Sequence, residues 1–338
     1  MQPDAAAARV CSLLAENPVV LAPMAGVTEA PFRAICRRMG AALTYTEMIS
    51  AKGLHYNPDS GASRALLSMD PGEVPCAVQV FGSDPEMMAV QASRIVERHG
   101  SNVALIDINM GCPVTKVVNK GEGSALMRDT PQAAAIVAAV SAACGVPVTV
   151  KFRSGWDSES VNAPEFAQAM QAAGAAAVAV HGRTREQFYK GRAHWDVIAR
   201  VKQAVDVPVL GSGDVFSADD VVAMLEQTGV DGVMVARGAQ GNPWIFREAA
   251  ALLGGARLAG PTPLERIDMA REHADALTSF AGDRAFVRMR KHVAWYIAEM
   301  PGASRVRIRV NACQDHHELD ALLAEYREYL AGAGARGA

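Results

Sequence analysis

The chain has 338 residues, of which half are hydrophobic and a fifth are charged, and its formal net charge is −3 at pH 7. This length suits one large barrel or two domains, and the composition is ordinary for a globular protein with a sizeable core. The weak negative charge excludes a general electrostatic attraction to nucleic acid, so such a partner would have to bind a local basic patch.

The N-terminal segment, residues 1–17, carries Asp4 before Arg9 and lacks the basic start of a secretory signal. No apolar run elsewhere approaches the ~20 residues that cross a bilayer, so we expect no membrane association. The six cysteines are scattered, without a Cys-x-x-Cys pair or a nearby histidine in zinc-ligand spacing. We therefore predict a cytoplasmic, monomeric protein with reduced thiols and no bound metal.

From residue 18 to about 236 the sequence repeats one unit, in which a short apolar run is followed by an amphipathic segment of helical period. Near-continuous apolar strands that alternate with helices are typical of a parallel sheet covered on both faces. Eight such units predict an α/β fold of the (β/α)8 (TIM) barrel type rather than an open sheet. The predicted strands are 18–24, 42–48, 75–82, 104–111, 146–153, 176–183, 207–214 and 231–238.

The pattern becomes purely helical after about residue 261. Thr262 and Glu265 form a Thr-x-x-Glu capping box with Pro263 at the first helical position, which predicts the start of a helix. Two further helices are predicted over 284–299 and 313–330. We therefore predict a barrel domain over residues 1–250 and an all-helical domain over residues 261–332. The apolar stripe of the last predicted helix consists of Leu319, Leu322, Leu323, Tyr326 and Leu330.

Polar and small side chains gather where the predicted barrel strands end. In TIM barrels the active site lies at the carboxyl ends of the strands. A single polar residue at a strand end is more often a solvated cap, but the repetition over most of the strands favours one ring-shaped site. The residues concerned are Pro23, Met24, Ala25, Gln79, Asn109, Cys112, Lys151, Arg153, His181, Arg183, Ser212, Gly213, Asp214, Ala236 and Arg237.

Two glycine-rich segments, 211–214 and 236–244, follow the seventh and eighth predicted strands. Such loops before a helix N-terminus, here expected near residue 240, are typical of the phosphate site of this fold, and Arg237 suits a bidentate phosphate contact. Gln79 offers a donor and an acceptor, and Lys151 a positive charge, as the edge of a flavin ring requires. Neither side chain distinguishes a flavin from a sugar phosphate.

Several long segments together resemble the tRNA-dihydrouridine synthases, and two of them are most similar to the bacterial B-type subgroup. The resemblance implies an FMN enzyme that reduces the C5–C6 bond of a uridine in the tRNA D-loop, position 17 for the B-type, with NADPH or NADH as reductant. It covers nearly the whole chain after residue 18. The segments are 22–33, 78–85, 107–127, 181–196, 236–248 and 290–299, of which 240–248 and 290–299 carry the B-type similarity.

The same resemblance implies roles for single residues. Cys112 falls on the proton donor of the family, and Ser212 stands where the family commonly has asparagine, which removes that polar contact. We expect Asn109 to face the flavin edge or the uracil, and Arg183 to contact the substrate base or a neighbouring phosphate. The implied FMN contacts are Pro23, Met24, Ala25, Gln79, Lys151, His181, Ser212, Gly213, Asp214, Ala236 and Arg237.

Cys112 lies in a turn between Gly111 and Pro113. When hydride adds at C6 of a uracil, C5 must receive a proton, and a thiol with an ordinary pKa of about 8.5 still holds its proton at neutral pH. A nucleophilic role would need an activating histidine or lysine next to the thiol. The alternative is a buried structural thiol, the usual role of cysteine.

The tRNA partner is predicted from a local concentration of charge. Residues 284–309 contain seven basic residues against one acidic residue, Glu299. Arg284, Arg288 and Lys291 fall on one helix face, opposite a stripe of Phe286, Met289 and Val293, and such a face suits phosphate contacts. A solvated helix face is the alternative, and the family resemblance favours RNA.

Two other functions remain possible at this stage. One is an FMN dehydrogenase that acts on a free pyrimidine, of the dihydroorotate type, which would not need the basic helical segment. The other is a non-catalytic tRNA-binding barrel, against which the retained Cys112, Lys151 and glycine-rich loops argue. Activity on a free pyrimidine would support the first, and a colourless purified protein the second.

Overall fold

The computed structural model describes residues 3–15 and 17–334. Within these ranges, eight parallel strands form one sheet in the order β1-β8-β7-β6-β5-β4-β3-β2. This arrangement confirms the predicted α/β barrel, in which buried Val, Ile and Ala residues fill the strands. The strands are β1 (Val19–Leu21), β2 (Ile49–Ser50), β3 (Cys76–Phe81), β4 (Val103–Met110), β5 (Val148–Arg153), β6 (Ala177–His181), β7 (Val209–Ser212) and β8 (Gly232–Val235).

The second strand differs from the prediction of 42–48, because the regular ladder to β3 begins only at Ile49. The segment 42–46 instead bonds to two neighbours in turn. Leu43 accepts a hydrogen bond from Leu21 of β1, and Thr46 donates one to Ala77 of β3. These bonds close the ring between β1 and β3, but they are too irregular to form more than the single bridge of Tyr45 to Ala77.

Helices cover the outside of the sheet and continue beyond it. The first of them, Pro3–Leu14, packs Val10 and Leu14 against the amino-terminal end of the barrel core. The helices are α1 (Pro3–Leu14), α2 (Ala30–Arg38), α3 (Ala51–Tyr56), α4 (Gly61–Leu67), α5 (Pro85–His99), α6 (Thr115–Val118), α7 (Thr130–Ala143), α8 (Ala163–Ala172), α9 (Trp195–Ala204), α10 (Ala218–Thr228), α11 (Ile245–Leu253), α12 (Pro263–Ala281), α13 (Phe286–Tyr296), α14 (Ala303–Ala312) and α15 (His316–Gly334). In the described part of the chain, every helix is too short or too polar to span a bilayer.

The C-terminal helices α12 to α15 build a second hydrophobic core, which includes all five predicted stripe residues of α15. The capping box of Thr262 and Glu265 is present, and α12 begins at Pro263 as predicted. The helix α14 was not predicted, because its alternation of arginine with Val306, Ile308 and Val310 has the period of a strand.

The predicted helix start near residue 240 is also wrong. Strand β8 is followed by a 3-10 turn, Arg237–Ala239, and α11 begins only at Ile245. Gly241 has φ +68, and a Cβ atom there would lie 2.4 Å from the carbonyl carbon of Trp295 in α13. The chain therefore stays irregular where its backbone approaches α13.

The loop before β3 is anchored by a buried ion pair that sequence analysis missed. Arg33 and Glu73 are 1% and 0% exposed, and they form a two-pronged contact with distances of 2.7 and 2.8 Å. The remaining N–H groups of Arg33 donate to the carbonyls of Thr28 and Ser68. The pair thereby joins α2 and the β1 loop to the segment that leads into β3.

Replacement of Glu73 by alanine should lower the free energy of unfolding by about 3–5 kcal/mol, because it leaves the Arg33 guanidinium charged and unpaired in the interior. The measurement is the urea midpoint, followed by circular dichroism. Asp219→Ala, which breaks an exposed pair with Arg257, is the matched control and should change the midpoint little. Equal midpoints for the two variants would contradict the structural role of the buried pair.

Candidate active site at the mouth of the barrel

A cavity of about 470 Å³ opens at the carboxyl ends of the strands. This volume is within the usual range for a small-molecule or cofactor site. Of the predicted barrel residues, Arg183 does not line it, and the following do: Pro23, Met24, Ala25, Gln79, Asn109, Cys112, Lys151, Arg153, His181, Ser212, Gly213, Asp214, Ala236 and Arg237. Lining residues that sequence analysis missed include Met48, Val114, Tyr189, Phe216 and Gln240.

A chain of buried hydrogen bonds fixes the floor of the cavity. Gln79 donates to Asp107 over 2.6 Å and accepts from Asn109 over 2.8 Å. Thr149 donates to the other oxygen of Asp107 over 2.6 Å. These partners define which atom of the Gln79 amide is oxygen and which is nitrogen. Sequence analysis missed Asp107. The one sequence feature that could have indicated its role is the presence of an acidic residue inside an apolar run.

Asn109 also holds the turn that presents Cys112. Its side-chain oxygen accepts hydrogen bonds from the backbone N–H groups of Gly111, at 3.1 Å, and Cys112, at 2.9 Å. The carbonyl of Cys112 in turn accepts from both the N–H and the hydroxyl of Ser124. The thiol is therefore held at the cavity by a bonded turn rather than by a free loop tip.

The Cys112 thiol keeps its proton at neutral pH. Burial raises its pKa, and the backbone N–H of Val114 and the charges of Arg153 and Lys151 only partly oppose this effect. A thiol with a raised pKa is a poor nucleophile and a competent proton donor.

Lys151 brings a positive charge into the same cavity. Burial and the neighbouring Arg153 lower its pKa to about 8, although the charges of Asp107 and Cys112 oppose the shift. Among the described residues, its ammonium group has no hydrogen-bond acceptor and no ion pair. An unpaired cation that is partly withdrawn from water is costly, so this position favours an anionic ligand.

Arg153 has a different environment, although it also lines the cavity. Its guanidinium donates to the backbone carbonyls of Gly111, Thr184 and Phe188 at 2.8–2.9 Å. It therefore ties the Cys112 turn to the loop after β6. Burial lowers its pKa to about 10, so the group remains charged at neutral pH.

His181 faces several cations. Burial is the main cause that lowers its pKa well below the ordinary value, and the charges of Lys151, Arg153, Arg183 and Arg237 add to the effect. The imidazole is therefore neutral at physiological pH. A bound anion in this part of the cavity would lie among several positive groups.

The loop after β7 brings backbone close to His181. Gly213 has φ +118, and a Cβ atom there would lie 2.7 Å from the Ala193 Cβ and 2.9 Å from the His181 ring, so a larger residue is strained. In the described part of the chain, the N–H groups of Gly213 and Asp214 have no acceptor. They are available to an anionic ligand.

Arg183, which sequence analysis predicted to contact the substrate, lies outside the cavity lining. The residue is 2% exposed, and it donates to the carbonyls of Lys190 and Gly191 and to the carboxylate of Asp214. These acceptors turn the side chain into the loop after β6. Burial alone would raise the pKa of Asp214, but hydrogen bonds from Ala193 and Arg183 outweigh it and lower the pKa.

Arg237 lies at the rim between two aromatic rings. Its guanidinium carbon is 5.2 Å from the ring centre of Tyr189 and 5.4 Å from that of Phe216. The two rings are 53% and 50% exposed. The arrangement places a cation and two flat apolar surfaces beside the cavity, where they can contact a planar ligand.

The predicted basic face of α13 is only partly open. Lys291 donates to the carbonyl of Gly26, and Arg288 lies 3.5 Å from the carboxylate of Glu29, so both contact the loop after β1. Arg284 is exposed and precedes the helix in a 3-10 turn. Burial and the nearby Glu47 raise the pKa of Glu29 to about 7, although Lys291 and Arg288 oppose this.

Comparison with known proteins identifies relatives along nearly the whole chain. A family model described as dihydrouridine synthase (Dus) matches residues 20–330. The chain is 45% identical to tRNA-dihydrouridine synthase B of Pseudomonas putida, over 91% of both proteins. It is 44% identical to the protein of the same name from Pseudomonas aeruginosa, over 93% of both. It is 42% identical to the probable tRNA-dihydrouridine synthase 1 of Synechocystis sp., over 92% of this chain and 87% of that one.

A solved structure supports the fold. Histamine dehydrogenase from Rhizobium sp. 4-9 aligns with a TM-score of 0.50 at 13% identity, over 77% of this chain and 49% of its own. At this identity the likeness concerns the fold alone, and it agrees with an α/β barrel.

Proposed function

The chain belongs to the dihydrouridine synthase family of flavin-dependent oxidoreductases, and we propose that it uses FMN and NADPH to reduce the C5–C6 bond of one D-loop uridine in tRNA. The observation that carries the proposal is the convergence of an unpaired cation, Lys151, and a protonated thiol, Cys112, on one cavity. Position 17 is the uridine that we propose, and NADH is the alternative reductant.

The residues of the cavity fit FMN. The open N–H groups of Gly213 and Asp214, with Arg237 beside them, suit its phosphate. The unpaired Lys151 suits the negative charge of the reduced ring, and Gln79 suits the pyrimidine edge. Ser212 donates its hydroxyl to the carbonyl of Met234, so it contributes to the loop rather than to a polar ligand contact. Further proposed contacts are Pro23, Met24, Ala25, His181 and Ala236.

When bound, the flavin supplies hydride to C6 of the uracil, and the residues of the chain complete the reaction at C5. Cys112 holds the proton for C5, because its turn aims the thiol into the cavity and its raised pKa keeps it protonated. Asn109 holds that turn through its side-chain oxygen. Arg153 donates to the carbonyl of Gly111 in this turn and to the carbonyls of Thr184 and Phe188 in the loop after β6. These bonds limit movement of the thiol during proton transfer.

We propose that residues 1–250 form the catalytic domain and that residues 261–332 bind tRNA. Arg284 and Arg288 are exposed at the start of α13 and suit phosphate contacts. Lys291 bonds to the β1 loop, and this loop continues into the cavity residues Met24 and Ala25. Lys291 therefore connects the proposed RNA-binding face of α13 to the cavity in which the uridine is reduced.

The experiment that tests the proposal maps dihydrouridine in tRNA from cells that lack this protein. We expect one D-loop uridine, position 17, to remain unreduced, and the wild-type gene to restore dihydrouridine there. Restoration at a different position would correct the assignment of the uridine. An unchanged dihydrouridine map in the deletion strain would contradict the proposed function.

A further inference from the structure

Two arginines and a tryptophan form a cluster beside the mouth, outside the cavity. The guanidinium carbons of Arg128 and Arg185 lie 4.6 and 4.7 Å from the ring centre of Trp156. The two positive charges are therefore less than about 10 Å apart, a separation comparable to the Debye length of ~8–10 Å near physiological salt. Arg128 and Trp156 also line a second cavity of about 410 Å³. We refer to these three residues as the Arg–Trp–Arg cluster.

The charges of the cluster are not neutralised within the protein. Among the described residues, neither guanidinium forms an ion pair or donates a hydrogen bond, and the buried Nε of Arg185 has no acceptor. Asp157 lies near enough for the charge of Arg128 to help lower its pKa, but its carboxylate forms no ion pair with Arg128 and accepts from the hydroxyl and N–H of Ser160 and the N–H of Glu159. Like charges held together without a direct ion pair favour an external anion.

The backbone holds the cluster in place. The N–H of Arg185 donates to the carbonyl of Gly155, which joins the loops after β5 and β6. Arg128 is the last residue of the 3-10 helix Gly123–Arg128. Ser124, the second residue of this helix, donates to the carbonyl of Cys112. The cluster is thus fixed to the turn that presents the thiol.

The strand order places the cluster across the mouth from the helical domain. Helix α13 contacts the loop after β1 at Gly26 and the loop after β8 at Gly241. The cluster comes from the loops after β4, β5 and β6, and β5 is four strands from β1 in either direction around the ring. An RNA that inserts one base between these two sides would extend its neighbouring nucleotides over both of them.

We propose that the Arg–Trp–Arg cluster binds backbone phosphates of the tRNA, on the side of the inserted uridine that faces away from the helical domain. The inference rests on the proposed function, because it assumes that a tRNA uridine enters the cavity. Arginine suits this role through its planar, always charged group, and a stacked tryptophan fixes that group in position. The helical domain and the cluster then hold the RNA from opposite sides.

The test is the affinity of the flavin-loaded protein for an unmodified tRNA transcript over a series of salt concentrations. The double variant R128Q/R185Q should bind roughly tenfold or more weakly at low salt. The slope of log K against log salt should be shallower by roughly 1.4–1.8, since two phosphate contacts are lost. The matched control R64Q/R94Q changes two exposed arginines on α4 and α5 and should behave as the wild type.

The variant R128K/R185K retains both charges and should keep the wild-type slope. An unchanged affinity and slope in R128Q/R185Q would overturn the inference while the proposed function stands. If R128K/R185K also loses tRNA affinity, and bound flavin is lost as well, the cluster only supports the loops. This result would also overturn the inference. A wild-type protein that does not bind the transcript would overturn the proposed function itself.

Discussion

The variant Cys112→Ala is expected to bind FMN as tightly as the wild type and to reduce tRNA uridine about 10²–10⁴-fold more slowly, the usual contribution of a general acid. The expectation follows from the geometry of the turn, in which Asn109 and Ser124 bond to the backbone of Cys112 and not to its thiol. Removal of the sulfur should therefore leave the loop in place. The measurement is a single turnover of pre-reduced protein with tRNA, beside a flavin titration.

Cys11→Ala is the control for this experiment, because Cys11 is exposed on α1, which packs at the opposite end of the barrel. It should react at the wild-type rate. The wild-type rate should also fall as the pH rises through the raised pKa of Cys112, because only the protonated thiol donates. A Cys112→Ala enzyme with unimpaired turnover would refute the acid assignment.

The affinity of the flavin-free protein for reduced FMN, whose ring carries a negative charge, is expected to fall as the pH rises above about 8. Lys151 has its pKa lowered to about 8, so it is charged below this pH and neutral above it. An anion that binds beside it favours the charged form, and affinity should then fall by up to about tenfold per pH unit. The FMN phosphate has its second pKa near ~6, so its own charge stays constant in this range.

The comparison with Lys151→Met isolates this effect. The variant should bind reduced FMN more weakly at pH 7, and its affinity should change little between pH 7 and 9.5. Lys116→Met, which alters an exposed lysine on α6, should keep the wild-type profile. The measurement is an anaerobic titration with reduced FMN at each pH, followed by the change in flavin absorbance. A wild-type affinity that stays constant through pH 8, or a Lys151→Met profile equal to it, would exclude the proposed ion pair.

The barrel was predictable because each apolar run is almost continuously buried, and short apolar runs between helical segments are typical of the strands of a parallel sheet. The segment 42–46 was harder, because its hydrogen bonds go to β1 and then to β3 instead of following one ladder. The helix α14 was missed for a different reason. Arg305, Arg307 and Arg309 alternate with apolar residues, and only packing against α13 and α15 makes that segment helical.

The candidate site was predictable from position along the strands, but the direction of each side chain was not. Arg183 lies only two residues after His181, the last residue of β6, yet carbonyls of its own loop and Asp214 turn it away from the cavity. Asp107 lies inside an apolar run, and its role depends on Gln79 and Thr149 from neighbouring strands. Contacts between residues distant in sequence leave no local pattern.

The most direct measurement is made with purified, flavin-loaded protein, NADPH and an unmodified tRNA transcript. After the reaction, the tRNA is digested to nucleosides and fragments and analysed by mass spectrometry. One D-loop uridine should gain the mass of two hydrogen atoms, and the gain should disappear without NADPH. Unchanged uridine in a protein that has bound both FMN and tRNA would contradict uridine reduction in this cavity.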